Sequence, residues 1–152
     1  MSLKKRIIRI VVIAVCAWLL FSFVLIPLKI RGQSMEPTYH DGGFTFCWRQ
    51  RFLFSPVKRG DVVAIRFAGR HVMLLKRVVA LAGDTVGFRN GILYVNGSRV
   101  DEPYIRFRSN WNLPPRTVEP GRVYVVGDNR GVPMQRHHFG QVDAQRIMGG
   151  VL

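Results

Sequence analysis

The 152-residue chain carries 23 lysine and arginine residues against nine aspartate and glutamate residues, a formal net charge of +14, and 48% of its residues are hydrophobic. This hydrophobic content excludes an intrinsically disordered chain, and the length excludes two sizeable domains with separate cores. Cys16 lies in an apolar N-terminal run and Cys47 stands alone after it. A disulfide framework or a cysteine-based zinc site within one folded domain is therefore excluded.

The N-terminal run predicts a transmembrane helix. The nineteen residues Ile10–Leu28 carry no charge, and they extend about 28 Å as a helix, close to the thickness of a hydrocarbon core. A cleavable signal peptide or a buried core helix are the alternatives. The run is longer than the apolar region of a signal peptide, and it closes with LIPLKIRG, which has no Ala-x-Ala cleavage site. We expect a basic cytoplasmic segment at 1–6, a membrane anchor at 7–28 and a β-rich extracytoplasmic domain at 29–152.

Basic residues set the expected orientation and partners. Four of them lie between Lys4 and Arg9, whereas only Lys29 and Arg31 closely follow the span, so the N-terminus is expected in the cytoplasm. Eighteen basic and nine acidic residues follow Lys29, which gives the outer domain a net charge of +9. The nearest partner of a tethered basic domain is anionic membrane lipid, and no cluster resembles a nucleic-acid recognition motif. We expect lipid contact and no nucleic-acid binding.

Aromatic and basic residues also mix between Asp41 and Pro56. The segment contains Phe44, Phe46, Trp48, Phe52 and Phe54 together with Arg49 and Arg51. Burial in a strand would explain the aromatic residues in the first half of this segment. The mixture in the second half is typical of a loop at a lipid interface.

The sequence after Lys29 predicts an all-β domain. Six β-branched or aromatic runs are separated by glycine, aspartate and proline: GFTFCW, DVVAIRF, HVMLLKRVVAL, DTVGF, ILYVNG and RVYVVGD. Asn90-Gly91 and Asn96-Gly97 are typical of tight hairpin turns. No long stretch after Leu28 has helical periodicity, apart from a turn near the C-terminus. We expect a compact, open and curved antiparallel β domain on one helical stalk.

Lys76 lies inside one of these apolar runs. Strand alternation places it on the face of Leu74, Val78 and Ala80. One interpretation is an edge-strand lysine whose stem covers apolar surface while its amine reaches water. The other is a desolvated amine with a lowered pKa, able to act as a general base near neutral pH. The lysine alone does not decide between them.

Three polar segments have ordinary interpretations when each is considered alone. A serine in the glycine- and proline-flanked segment RGQSMEPTYHDG is usually a turn former, and VYVVGDNRG is usually a strand running into an Asx turn. The adjacent His137 and His138 have no carboxylate or thiolate cluster beside them in the sequence, which predicts a structural role rather than a metal site. We expect no metal and no cofactor.

Considered together, these segments resemble one known family. GQSMEPT, DVVAIRF, LLKRVVALAGD and GDNR…HHFG stand in the order and spacing of the conserved boxes of bacterial type I signal peptidases, the membrane-bound serine–lysine proteases of family S26. The resemblance covers the helix and the outer domain from Gly32 to about Gly149. The Ser-x-Met and Lys-Arg-Val-Val segments are specific to the family, whereas GDNR alone is a weak signal.

The resemblance implies a nucleophile, Ser34, and its general base, Lys76. A serine hydroxyl needs a base at neutral pH, and a neutral lysine in apolar surroundings supplies one. The loop that presents the nucleophile and binds the oxyanion would comprise Gly32, Gln33, Ser34, Met35 and Pro37. The supporting residues would be Arg77, which pairs with Asp128, and the turn residues Gly127, Asn129 and Arg130.

The chain also departs from the family pattern. Gly32 stands where members often carry a serine whose hydroxyl helps bind the oxyanion, so the Ser34 backbone N–H would be the main donor. Pro133 stands where the family has a serine that orients the lysine, and Gln135 stands where it has an aspartate. The group that orients Lys76 is therefore open.

The resemblance implies a membrane-anchored serine endopeptidase that removes signal peptides from exported preproteins, with small residues at the first and third positions before the cut. The altered GVPMQR segment leaves a second hypothesis open, a specialised maturation peptidase for one pilin or conjugation substrate. A third is a catalytically silent, membrane-tethered binding domain. The presence of both Ser34 and Lys76 disfavours the third hypothesis.

Overall fold

The chain begins with a long apolar helix. The computed structural model describes residues 3–68 and 72–152, so Met1 and Ser2 of the expected cytoplasmic segment and His71 of a predicted strand lie outside the described residues. Helix α1 spans Leu3–Leu19 and continues as a π-helical segment over Leu20–Val24. Within the described residues, this is the one helix long and apolar enough to cross a membrane.

The helix ends four residues before the predicted boundary at Leu28. Residues Leu25–Lys29 form strand β1, which pairs antiparallel with strand β2 at Phe44–Trp48. Pro27 explains the difference, because proline lacks a backbone N–H and disfavours helical backbone at the preceding residue. The Arg49 N–H donates to the Val24 carbonyl at 3.0 Å. The last apolar residues of the run therefore belong to the sheet.

Nine further strands follow. In chain order they are β3 (Val62–Ala68), β4 (Val72–Ala80), β5 (Thr85–Arg89), β6 (Ile92–Val95), β7 (Ser98–Arg99), β8 (Leu113–Thr117), β9 (Arg122–Val126), β10 (Gly140–Asp143) and β11 (Ile147–Val151). A one-turn helix, α2, spans Arg51–Phe54 between β2 and β3. Two antiparallel sheets result, one of seven strands in the order β1-β2-β11-β3-β4-β9-β10 and one of four in the order β7-β6-β5-β8.

The prediction of an antiparallel β domain on one apolar helix is confirmed. The six predicted runs form β2 to β6 and β9. Asn90 and Asn96 adopt positive φ angles of 50° and 54° in the hairpin turns after β5 and β6, as an Asn-Gly turn requires.

Two apolar clusters cover the two faces of strand β4. Val79 and Ala80 belong to a cluster with residues of the four-stranded sheet such as Val86 and Phe88, whereas Val78 belongs to a cluster on the opposite face. The register of β4 against β9 shifts between Val78 and Ala80. The prediction that Ala80 shares the face of Lys76 is therefore wrong, because a bulge reverses the alternation after Val78.

Candidate active site

The loop after β1 is held by its backbone and by one buried side chain. The Gly32 N–H donates to Asp41 Oδ1 at 2.8 Å, and Gly32 has a φ of +90°, a conformation that favours glycine. Met35 is 1% exposed, and its carbonyl accepts from the Tyr39 N–H. Ser34 lies between these two anchors and is half-buried.

The Ser34 loop lies directly on the turn that follows β9. The Asn129 N–H donates to the Ser34 carbonyl at 3.1 Å, and Asn129 Nδ2 donates to the Gln33 carbonyl at 3.0 Å. Gly127 lies so close to the Ser34 carbonyl that a Cβ added to this glycine would overlap the oxygen. Only glycine fits this position without moving the loop.

Lys76 enters the same space from strand β4. Lys76 is 2% exposed and pairs with Val63 of strand β3. The Lys76 Nζ lies 3.3 Å from the position that a Cβ on Gly127 would occupy. Burial lowers the pKa of the Lys76 ammonium to about 8, although the Asp128 carboxylate acts in the opposite direction. This burial favours the desolvated amine over the solvated edge lysine.

A buried ion pair ties Lys76's strand to the turn and to the Ser34 loop. Arg77 Nε and Nη2 donate to the two oxygens of Asp128 at 2.8 and 2.6 Å. The Asp128 side chain is fully buried and also accepts from Thr38 Oγ1 at 2.5 Å. Thr38 was missed by the sequence analysis, because a threonine beside a proline resembles an ordinary turn residue.

A second buried ion pair also holds the turn that follows β9. Arg130 pairs with Glu102 at 2.6 Å, both side chains are almost completely buried, and Arg130 Nε donates to the Gly127 carbonyl at 2.8 Å. The Arg130 guanidinium also lies over the rings of Phe88 and Trp111. Glu102 was missed in the sequence, because nothing around it indicates a partner 28 residues away.

A cleft of about 480 Å³ leads to Ser34. One wall comes from the segment after β1, including Ile30 and Met35, and the other from residues 73–75 of β4. Strand β4 pairs with β9 only from Arg77 onwards. Residues 73–76 therefore offer backbone groups on that side for which β9 provides no partner, and an extended peptide fits such an edge.

Of the residues that depart from the family pattern, Gly32 lines this cleft, whereas the other two lie elsewhere. Pro133 and Gln135 are exposed and line a surface depression beside Trp111. The same segment directs His137 inward, where its ring lies 4.7 Å from the Trp111 ring centre. Burial, and then the positive charges of Lys76 and Arg130, lower the pKa of His137 to about 4. A neutral imidazole therefore lies within electrostatic reach of Lys76.

No metal site accompanies these groups in the part of the chain that the structure describes. Within residues 3–68 and 72–152, no group of three or more histidine, cysteine, aspartate or glutamate side chains is placed to hold a metal ion. The chemistry available is that of a half-buried serine, a buried amine and backbone N–H donors. Such a set suits acyl transfer.

Comparison with known proteins points to one family. The family model described as "Signal peptidase, peptidase S26" matches residues 3–152. Signal peptidase I of Bacillus licheniformis is 33% identical over 159 residues, which cover 97% of this chain and 86% of that protein. Signal peptidase IB of Staphylococcus aureus (strain COL) is 32% identical over 171 residues, which cover 98% of this chain and 89% of that protein.

A solved structure shares the fold. The crystal structure of a signal peptidase I from Enterococcus faecalis V583 superimposes with a TM-score of 0.51 at 25% sequence identity. The match covers 63% of this chain and 97% of the crystallised chain.

Proposed function

Because the chain belongs to the signal peptidase S26 family of serine endopeptidases, we propose that it removes signal peptides from exported preproteins with a dyad of Ser34 and Lys76. One observation carries the proposal: Gly127 abuts both the Ser34 carbonyl and Lys76 Nζ. The backbone of Ser34 and the Lys76 amine therefore lie on the same side of a residue that has no side chain of its own, which supports the pairing. The buried Lys76 has the lowered pKa that a general base requires.

The proposed reaction has an acylation and a deacylation step. Neutral Lys76 takes the hydroxyl proton of Ser34 as the oxygen attacks the scissile carbonyl, and the Ser34 N–H stabilises the oxyanion. The Lys76 ammonium then protonates the departing amine of the mature protein. In the second step Lys76 takes a proton from the water that attacks the ester carbonyl, and the Lys76 ammonium returns it to the Ser34 oxygen as the ester C–O bond breaks, which frees the carboxylic acid and restores the Ser34 hydroxyl.

The substrate would bind as an added strand. Its extended segment enters the cleft between the loop at Ile30–Ser34 and residues 73–75 of β4, where backbone hydrogen bonds hold it. Side chains at the first and third positions before the cut point the same way, because strand side chains alternate. Met35 and Leu75 line the cleft, and we expect these apolar walls to accept alanine at both positions.

The helix and the nearby aromatic residues would place this cleft at the membrane. We assign α1 and the π-helical segment, Leu3–Val24, as the anchor, with the N-terminus in the cytoplasm and the catalytic domain outside. Phe44 and Phe54 are 73% and 77% exposed, and the basic Arg49 lies between them in the chain. Aromatic rings with adjacent positive charge suit an interface rich in anionic lipid.

The segment around His137 favours a second candidate, a peptidase dedicated to one pilin or conjugation substrate. The surroundings of Lys76 include the neutral imidazole of His137, whereas Pro133 and Gln135, which stand at the family's serine and aspartate positions, face solvent. Such a change alters the neighbourhood of the base rather than the cleft. A general peptidase cleaves a panel of unrelated preproteins at similar rates, whereas a dedicated one cleaves a single member.

The experiment uses the full chain in detergent with such a panel, and mass spectrometry locates each cut. We expect cleavage directly after the small residue that ends an Ala-x-Ala segment, and loss of cleavage when either alanine is replaced by tyrosine. Ser34→Ala protein from the same preparation is the matched control. Cuts at other positions, or equal cutting by the control, would refute the proposal.

A further inference from the structure

Tyr104 lies outside every motif in the sequence, yet its ring covers the ion pair behind the proposed dyad. The guanidinium carbon of Arg77 lies 3.9 Å from the centre of the Tyr104 ring. A guanidinium stacked on an aromatic face is attracted by the ring and shielded from water on that side. We infer that Tyr104 is a positioning residue for Lys76 and Ser34 that acts through the Arg77–Asp128 ion pair. The inference rests on the proposed function.

The covered ion pair is one step from each member of the dyad. Arg77 follows Lys76 on strand β4, and Asp128 follows Gly127, which contacts Ser34 and Lys76. Asp128 also accepts from Thr38, in the Ser34 loop. A change in the position of Asp128 therefore moves the loop and the strand relative to each other.

The other end of Tyr104 contacts the second buried ion pair. Its hydroxyl donates to Glu102 Oε1 at 3.0 Å, and Glu102 pairs with Arg130. Arg130 in turn donates to the Gly127 carbonyl. Tyr104 thus links two buried ion pairs, one through Asp128, the neighbour of Gly127, and one that binds the Gly127 carbonyl.

The electrostatic consequence has a definite sign. Asp128 favours the charged form of Lys76, and Arg77 compensates that carboxylate. Removing the ring exposes Arg77 to water, which screens the compensation and brings solvent closer to Lys76. Both effects stabilise the Lys76 ammonium, so the pKa of Lys76 rises.

Several other ionisable groups lie near this cluster, including His138 and Arg146, which line a cavity with Lys76. Burial raises the pKa of Tyr39, which faces the ion pair, and His137 beside Lys76 has its pKa lowered to about 4. Arg130 is paired with Glu102. A transition between pH 7 and 9 that remains in His138→Gln protein would therefore report Lys76.

The test compares Tyr104→Leu with Tyr104→Phe in the full chain. The pH profile of kcat/KM is measured on one preprotein, together with the melting temperature of each variant. We expect Tyr104→Leu to move the acid limb to higher pH by about half a unit. Tyr104→Phe keeps the ring over Arg77, so its limb should stay within about 0.2 unit of the parent's.

Three results would overturn the inference. Tyr104→Leu could lower the rate and leave the limb in place, which indicates a purely structural role. Tyr104→Phe could shift the limb as far as Tyr104→Leu, which assigns the effect to the hydroxyl and Glu102. If Tyr104→Leu does not fold, Tyr104→Met replaces it, because methionine fills the site without an aromatic face and the same shift is expected. The third overturning result is an acid limb that does not move in Tyr104→Met.

Failure of the proposed dyad would look different. If kcat/KM of the parent enzyme showed no pH transition below pH 10, Lys76 would be refuted as the base. A normal parent transition that neither Tyr104→Leu nor Tyr104→Met moves would refute only the role of Tyr104.

Discussion

Gly127 lies against Ser34 so closely that any side chain at this glycine would overlap the serine's carbonyl oxygen. The same missing Cβ would lie 3.3 Å from Lys76 Nζ. We therefore expect Gly127→Ala to separate the proposed nucleophile from its base and to lower kcat/KM by about a hundredfold or more, as small displacements of catalytic groups do.

Gly131→Ala is the matched control for Gly127→Ala. Its Cβ would meet the Phe107 Cβ at 3.2 Å and Asn129 Oδ1 at 3.4 Å, whereas the Ser34 loop is held by Asn129 Nδ2 and the Asn129 N–H. Steady-state cleavage of one preprotein should stay within about threefold of the parent rate. Equal rates for Gly127→Ala and the parent would show that the loop has room to move and that the close approach has no catalytic consequence.

The lowered pKa of Lys76 predicts the pH dependence of cleavage. Burial lowers the pKa from 10.5 to about 8, and a general base must be neutral, so kcat/KM should rise with pH and level off above a midpoint near 8. Below pH 7 the rate should fall about tenfold per unit. A midpoint at or above 10 would show that the amine is solvated in the working enzyme.

Burying Lys76 should also cost stability, with a defined pH dependence. The pKa of Lys76 is about 8 in the folded state, and its ordinary value is 10.5. The cost in stability is therefore fully present below pH 8, decreases between pH 8 and 10.5, and is absent above pH 10.5. The shift corresponds to about 3 kcal/mol. Lys76→Met should therefore be inactive yet more stable than the parent at pH 6.

Denaturant unfolding at pH 6 and pH 10.5 measures this difference. Lys29→Met is the control, because Lys29 is exposed and should shift stability little at either pH. A Lys76→Met protein that is less stable than the parent at pH 6 would contradict the desolvated state of the amine.

Much of the fold follows from local patterns, and the exceptions have physical causes. Neighbouring residues alone are enough to predict the alternating runs that form β3 and β4, and the same holds for the two Asn-Gly turns. Strand β8 was not predicted because it contains Pro114 and Pro115, which an edge strand tolerates since one side needs no donors. Strand β1 was predicted as helix because its apolar residues continue the preceding run.

The Ser34 loop, strand β4 and the turn after β9 lie in contact, but the contacts that position the predicted site residues are not visible in sequence. Asp128 and Thr38 are 90 residues apart, and Arg130 and Glu102 are 28 apart. A single sequence contains no signal for such pairings. His137 is a similar case, because only the fold directs it inward while its neighbour Gln135 faces solvent.

The exposed position of Pro133 predicts that its substitution matters little. Proline has no hydroxyl and no N–H with which to orient Lys76, and in the structure it lines a depression beside Trp111. We expect Pro133→Ser to cleave one preprotein within about tenfold of the parent rate. Lys76→Arg is the comparison, and it should be inactive because a guanidinium does not lose its proton. A gain of several hundredfold in Pro133→Ser would mean that the natural chain lacks an effective base.

The most direct test of the account is a double-mutant cycle on Ser34 and Lys76. Preprotein cleavage is measured under single-turnover conditions in detergent for the parent, Ser34→Ala, Lys76→Ala and the double variant, with each fold checked by its melting temperature. If the two side chains act as one catalytic unit, each single variant should lose cleavage and the double variant should be no worse than either. Near-parental turnover in either single variant would contradict the dyad.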